Sequence, residues 1–265
     1  MVYPCRSTFF TKKKQRKTNP KQAFYSTFVF IFTLILQTKQ KVVIRFSILK
    51  SLTTIMTGKA KAQDWANLKK YKNENAQLNA PTSAEKRTVF FGDSITEGWK
   101  TIHSDFFIGK SYINRGINGQ TTSQMLLRFR PDVIELKPQI VAILAGTNDI
   151  AGNTGTTSLE TILGNLISMC ELAKANNIKV VLCSVLPAYD YPWRTNLQPP
   201  AKIEALNKMI LDYATAKQIP YVDYFSPMAN EQKGLKSIYS EDGVHPNKQG
   251  YSVMEPILEI AISKL

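Results

Sequence analysis

Four short blocks hold the residues with chemistry to offer: Gly92-Asp93-Ser94, the loop Asn114–Gly119, Gly146-Thr147-Asn148-Asp149, and Asp242-Gly243-Val244-His245-Pro246. A serine hydroxyl becomes a nucleophile only beside a base. The chain has two histidines, His103 and His245. His245 is the natural base for Ser94. Asp242 precedes it by three residues, with Gly243 between, so the chain can turn and bring a carboxylate to the imidazole. Such a carboxylate fixes the tautomer and stabilises the imidazolium. Nucleophilic attack on a carbonyl also needs donors aimed at the oxyanion. The Ser94 N–H, the Gly119 N–H and the Asn148 side-chain amide are the candidates. Each such donor is worth about 3–4 kcal/mol in the transition state.

These blocks must converge, and the elements between them say how. β-branched or aromatic runs occur at 88–91, 112–113, 140–145, 180–186 and 221–225. Between them, Leu159, Ile162, Leu163, Leu166, Ile167, Cys170 and Ala173 follow helical spacing, as do Tyr251, Met254, Ile257, Leu258, Ala261 and Leu265. Strand runs without polar alternation, separated by helices, predict a parallel sheet covered on both faces. The expected architecture is a three-layer α/β/α sandwich with a five-stranded parallel sheet, flavodoxin-like in outline. Open parallel sheets bind ligands at the carboxyl ends of their strands. The serine, the glycine loop and the asparagine each follow a strand there. The Asp/His pair comes after the fifth strand and a longer excursion.

The ordered blocks G-D-S-I-T, N-x-x-x-x-G-Q-T, G-T-N-D and D-G-V-H-P resemble the GDSL-type, or SGNH, hydrolase family over residues 88–265. The resemblance places the family's Ser, Gly, Asn and His on Ser94, Gly119, Asn148 and His245, with Asp242 as third member of the triad. Gly116 sits in the same second block, and family spacing favours Gly119. The resemblance implies an esterase or acylhydrolase that works through an acyl-serine intermediate without metal or cofactor.

Charge distribution narrows the partners. The formal net charge is +14, but residues 1–62 hold 13 of the 34 Lys/Arg and no Asp or Glu. The remaining 21 basic residues meet all 20 acidic ones. A nucleic-acid-binding surface needs its positive charge on the folded body, so no nucleic-acid partner is expected. Residues 1–62 read as a basic leader. Phe24 to Leu36 suits a signal-peptide core, and Ala60-Lys61-Ala62 resembles a cleavage site before Gln63. Phe24 to Leu36 is shorter than the roughly 20 residues a spanning helix needs, so no stable membrane span is expected in the mature protein, and a secreted or periplasmic protein is expected. Residues 63–87 form a polar N-terminal arm with a weak helical rhythm at Trp65, Leu68 and Tyr71. Cys5, Cys170 and Cys183 are scattered and make no disulfide framework; Cys170 and Cys183 read as small buried hydrophobes. His103 reads as a satisfied structural histidine, and Asp93 and Asp149 as braces of their loops.

Tyr189, Tyr191, Trp193 and Arg194, between prolines, offer either a self-packed loop or a substrate wall. As a wall they would set aromatic faces against a sugar ring or an apolar group. The favoured activity is removal of a short acyl group, acetyl first, from a carbohydrate or small alcohol. A lysophospholipase or thioesterase with the same triad is the nearest alternative. A non-catalytic carbohydrate-binding module is an alternative of another class.

Overall fold

The computed structural model describes residues 37–38, 63–82 and 84–265. Apart from residues 37–38, the basic leader lies outside the described residues, as do its A-x-A pattern and Cys5. One compact unit spans Asp64–Leu265. Its helices and strands run α1 (Lys72–Gln77), β1 (Thr88–Gly92), α2 (Ser94–Ile102), β2 (Tyr112–Gly116), α3 (Thr122–Asp132), β3 (Ile140–Leu144), α4 (Thr147–Ile150) and α5 (Leu159–Ala175). They continue with β4 (Lys179–Cys183), α6 (Pro199–Lys217), β5 (Tyr221–Val222), α7 (Phe225–Met228) and α8 (Lys248–Ser263).

The five strands are all parallel in the order β2-β1-β3-β4-β5. Strand residues alternate between two apolar layers, which is why their sequence shows no polar face. Val89, Phe91, Val141, Ile143, Val180 and Leu182 pack against Met125 and Phe129 of α3 and the apolar stripes of α5 and α6. Phe90, Ala142, Leu144, Val181 and Cys183 pack against Ile95 and Trp99 of α2 and against Tyr251, Met254 and Leu258 of α8. Cys170 and Cys183 are free thiols in these layers, and burial pushes each up to about 12.

The fourth and fifth strands end earlier than their apolar runs. Past Cys183, the Val185 N–H donates to Asn207 Oδ1 at 2.7 Å and the Val185 carbonyl accepts from Asn207 Nδ2 at 2.9 Å. A side-chain amide from α6 thus replaces a strand neighbour. Past Val222, the N–H groups of Tyr224 and Phe225 both donate to Ser184 Oγ, so the chain turns into α7 instead of extending the ladder.

β2 runs three residues beyond its apolar start, into Asn114, Arg115 and Gly116. The Asn114 amide donates to the Thr96 carbonyl of α2, and the arm supplies partners for Arg115 and Gly116. Arg115 Nε donates to Asn75 Oδ1 at 2.8 Å, and its guanidinium lies 4.5 Å from the Tyr71 ring centroid. The Tyr71 hydroxyl donates to the Gly116 carbonyl. Gln120 Nε2 donates to the Ala66 carbonyl at 2.7 Å, and Gln124 Nε2 to that of Trp65 at 2.7 Å. Among the described residues of the arm only Lys72–Gln77 are α-helical, after rather than across the apolar rhythm; Tyr71 is buried while Trp65 and Leu68 are exposed.

Candidate active site

β1 and β3 are neighbours, and the chain leaves them in opposite directions, to β2 and to β4. This reversal opens the crevice at their carboxyl ends where a ligand is held. Ser94 stands there as the first residue of α2, directly after β1. Asp93 caps that helix: its Oδ1 accepts from the Ile95 N–H at 3.0 Å. The close β1–α2 turn leaves the Ser94 N–H at the positive end of the helix.

His245 arrives from the loop before α8. Its Nε2 lies 3.0 Å from Ser94 Oγ, and its Nδ1 lies 2.6 Å from Asp242 Oδ2. The other carboxylate oxygen of Asp242 accepts from the N–H groups of Val244 (2.9 Å) and His245 (2.8 Å) and from the Ser240 hydroxyl (3.1 Å). This Asx turn passes through Gly243 at φ +78°, a conformation glycine adopts without steric cost. Burial pushes the Asp242 carboxyl up, but the imidazole and the two N–H donors outweigh it and hold it at about 2. Asp242 is therefore ionised at neutral pH and can accept only, which places the His245 ring proton on Nδ1. Nε2 is left free to accept from Ser94.

The two glycines of the second block separate cleanly. A Cβ on Gly116 would stand 2.1 Å from the Glu97 backbone nitrogen, so Gly116 is the point where β2 and α2 touch. Gly119 has φ +73° and sits in the loop beyond. Among the described residues no acceptor takes the N–H of Ser94 or Gly119.

Asn148 lies in α4, just past β3, and is buried. Its Nδ2 is 3.2 Å from Asp93 Oδ2 and 3.1 Å from the Gln120 carbonyl. Its Oδ1 accepts from Asn153 Nδ2 at 2.7 Å. Burial pushes the Asp93 carboxyl up to about 6, opposed by the Ile95 N–H and by His245. Asp149 accepts from the N–H and hydroxyl of Thr122, tying α4 to α3. His103 Nδ1 is 2.5 Å from Glu255 Oε1, which also accepts from Trp99 Nε1; His103 is thus a packing residue far in function from Ser94.

The aromatic loop divides. Trp193 lies beside His245, with ring centroids 5.9 Å apart, and is 45% exposed. Arg194 Nη1 donates to the Gly152 carbonyl at 2.5 Å, holding this loop to the segment after α4. Tyr189 is exposed, next to Gly234. Tyr191, expected on the wall, is wholly buried and packs behind Trp193 with centroids 5.2 Å apart. It supports the wall and presents no surface to a ligand. Gln120, a member of the second block but given no role there, links the arm to Asn148, and Asn153 carried no sequence signal of its own. A cleft of about 560 Å³ among Cys170, Lys174, Lys179 and Tyr213 lies at the opposite, amino-terminal end of the sheet and shares no residue with this site.

The family described as GDSL-like Lipase/Acylhydrolase matches residues 90–253. A solved structure of a GDSL-like lipase from Bacteroides thetaiotaomicron is 53% identical, with a TM-score of 0.74, covering 76% of this chain and 98% of that one. Esterase TesA of Pseudomonas aeruginosa is 26% identical over 62% of this chain and 81% of its own length. The uncharacterized lipoprotein YqeF of Bacillus subtilis is 32% identical over 37% of this chain, which spans about half (48%) of that protein. Among the described residues no helix is long and apolar enough to cross a membrane. With a parallel 2-1-3-4-5 sheet, the four blocks at one edge and this match, the chain belongs to the GDSL-like lipase/acylhydrolase family of ester hydrolases.

Proposed function

We propose that this chain is a serine esterase that removes short acyl groups, acetyl first, from a carbohydrate or small alcohol. The observation that carries the reading is the Asp242–His245–Ser94 array, with spacings of 2.6 and 3.0 Å. His245 Nε2 takes the Ser94 proton as Oγ bonds to the ester carbonyl carbon. The carbonyl oxygen becomes an oxyanion facing the N–H groups of Ser94 and Gly119. Asn148 supplies a third donor by diverting a hydrogen from one of its two long contacts. Collapse of the intermediate breaks the C–O bond to the alcohol, which leaves with the proton from His245. Water, deprotonated by the same nitrogen, then attacks the acyl-Ser94 ester and releases the carboxylic acid.

Trp193 supports the choice of alcohol. Its exposed ring beside His245 offers an apolar face on which a sugar ring can stack, and Tyr189 and Arg194 flank the same loop. A series of model esters of increasing acyl length tests the acyl preference. A rate maximum at acetyl supports the reading. A maximum at eight or more carbons replaces it with a lysophospholipase or thioesterase. If a serine-directed phosphonate leaves Ser94 of folded protein unlabelled, the chain is a binding module instead.

Export belongs to the same proposal. The leader's basic segment, apolar run and A-x-A pattern support a secreted or periplasmic enzyme. The amino-terminal residue of the mature protein is expected at or near Gln63; an intact leader on protein in the cytoplasm would refute it.

A further inference from the structure

We propose that Asn153 is a positioning residue that orients the Asn148 amide and couples it to Trp193 on the substrate wall. The inference rests on the reading of Asn148 as an oxyanion donor.

A side-chain amide has an acceptor end and a donor end of nearly equal shape, so its neighbours decide which way it points. Here the decision can be followed link by link. An indole N–H can only donate. Trp193 Nε1 donates to Asn153 Oδ1 at 3.1 Å. That turns the Asn153 amino group to the other side, where it donates to Asn148 Oδ1 at 2.7 Å and to the Gly119 carbonyl at 3.2 Å. Asn148 must then present its oxygen to Asn153 and its amino group to Asp93, Gln120 and the crevice. The polarity of the row is fixed from both ends, by the indole N–H outside and by the Asp93 carboxylate and the Gln120 carbonyl inside, with Asn153 as the link between them.

The backbone holds this row in place. The Asn153 N–H donates to the Asn148 carbonyl at 3.0 Å. Thr154 Oγ1 reaches Thr121 Oγ1 at 3.2 Å, and Arg194 clasps Gly152. Asn153 also touches both sides of the oxyanion site, because its amino group bridges Asn148 and the Gly119 carbonyl. Trp193 meanwhile borders His245. A ligand leaning on the Trp193 ring therefore presses on the same row that aims the amide.

Three variants test the row. Asn153→Ala removes both ends, Asn153→Asp keeps the acceptor for Trp193 and loses the donor to Asn148, and Trp193→Phe keeps an aromatic face and loses the indole N–H. Asn153 is exposed, so its replacement should leave the thermal midpoint unchanged. Both Asn153 variants are expected to lower kcat on an acetyl ester about tenfold with KM nearly constant. The ceiling is the roughly 10²–10³ that deletion of an oxyanion donor itself costs. Affinity for a boronic acid, which forms a tetrahedral adduct on serine, should fall in step with kcat. The double variant N153A/W193F should be no slower than N153A, since both break one row. An unchanged kcat in the Asn153 variants, a change confined to KM or the thermal midpoint, or additive losses in the double variant would overturn the proposal. Failure of the esterase reading looks different: wild-type protein would then be inert and Ser94 unlabelled by phosphonate.

Discussion

Asp93 holds two elements of the site with one carboxylate: Oδ1 caps the helix that begins with Ser94, and Oδ2 lies 3.2 Å from the amide of Asn148. The residue that caps the helix begun by Ser94 is thus also the one against which the Asn148 amide rests. In Asp93→Asn the oxygen can still cap Ile95, but an amino group then faces the Asn148 amino group. We expect kcat to fall at least tenfold with the fold retained, read from ester kinetics alongside circular dichroism.

The same carboxyl gives a pH signature. Its folded-state value, about 6, lies above the ordinary carboxylate value near 3.9, so the folded protein binds this proton more tightly than the unfolded chain. Asp93 therefore adds stability as pH falls from about 6 towards 4 and withdraws it as pH rises through 6. Urea unfolding of wild type and Asp93→Asn at pH 4.5 and 7.5 isolates the effect. The wild type should gain relative to the variant at the lower pH; equal differences at both would show that Asp93 is not buried as an acid.

Asp242 has the opposite sign. Its value is depressed to about 2, so its contribution is complete above the ordinary carboxylate range and is lost as pH falls through 2. Between pH 5 and 2, wild type should lose stability that Asp242→Asn does not. At neutral pH, Asp242→Asn sets an amino group against the His245 Nδ1–H and favours the wrong tautomer. A loss of up to about 10⁴ in kcat is expected, by analogy with the same exchange in a serine-protease triad.

Ser94→Ala removes the atom 3.0 Å from His245 Nε2 and leaves the helix cap on Asp93 untouched. Turnover and phosphonate labelling should both vanish while the urea midpoint stays within experimental error. Hydrolysis near the wild-type rate would assign the nucleophile elsewhere.

Arg128 is wholly buried beneath the site. It donates to Asp132 Oδ2 at 3.0 Å, to the Gly92 carbonyl at 2.8 Å and to the Arg115 carbonyl at 2.9 Å, with its guanidinium 4.2 Å from the Phe91 ring centroid. Arg128→Met leaves Asp132 buried with Asn75 as its remaining side-chain partner. Breaking such a pair costs about 3–5 kcal/mol, which the urea midpoint would register. A cost below about 1 kcal/mol would show that Asn75 alone suffices.

By itself, the sequence determined the sheet and the chemistry at its edge. Apolar runs of two to seven residues and helices of regular period are local patterns, and a strand end that reads Gly-Asp-Ser or Gly-Thr-Asn carries its residue to a known edge. The turn at Asp242-Gly243 was legible for the same reason, since acid, glycine and base lie within four residues. Tertiary structure supplied the physical reason the two glycines of the second block differ: the approach of α2 leaves Gly116 no room for a Cβ. It also drew Tyr191 into the core, turned Asn114 and Arg115 into strand residues by giving the first a partner in α2 and the second partners in the arm, and joined Trp193, Asn153 and Asn148 in one row. The Arg115–Asn75 and Trp193–Asn153 bonds each join polar groups 40 residues apart in the chain. Hydrogen bonds of that kind leave no period in the chain, because direction and distance, not residue order, determine them.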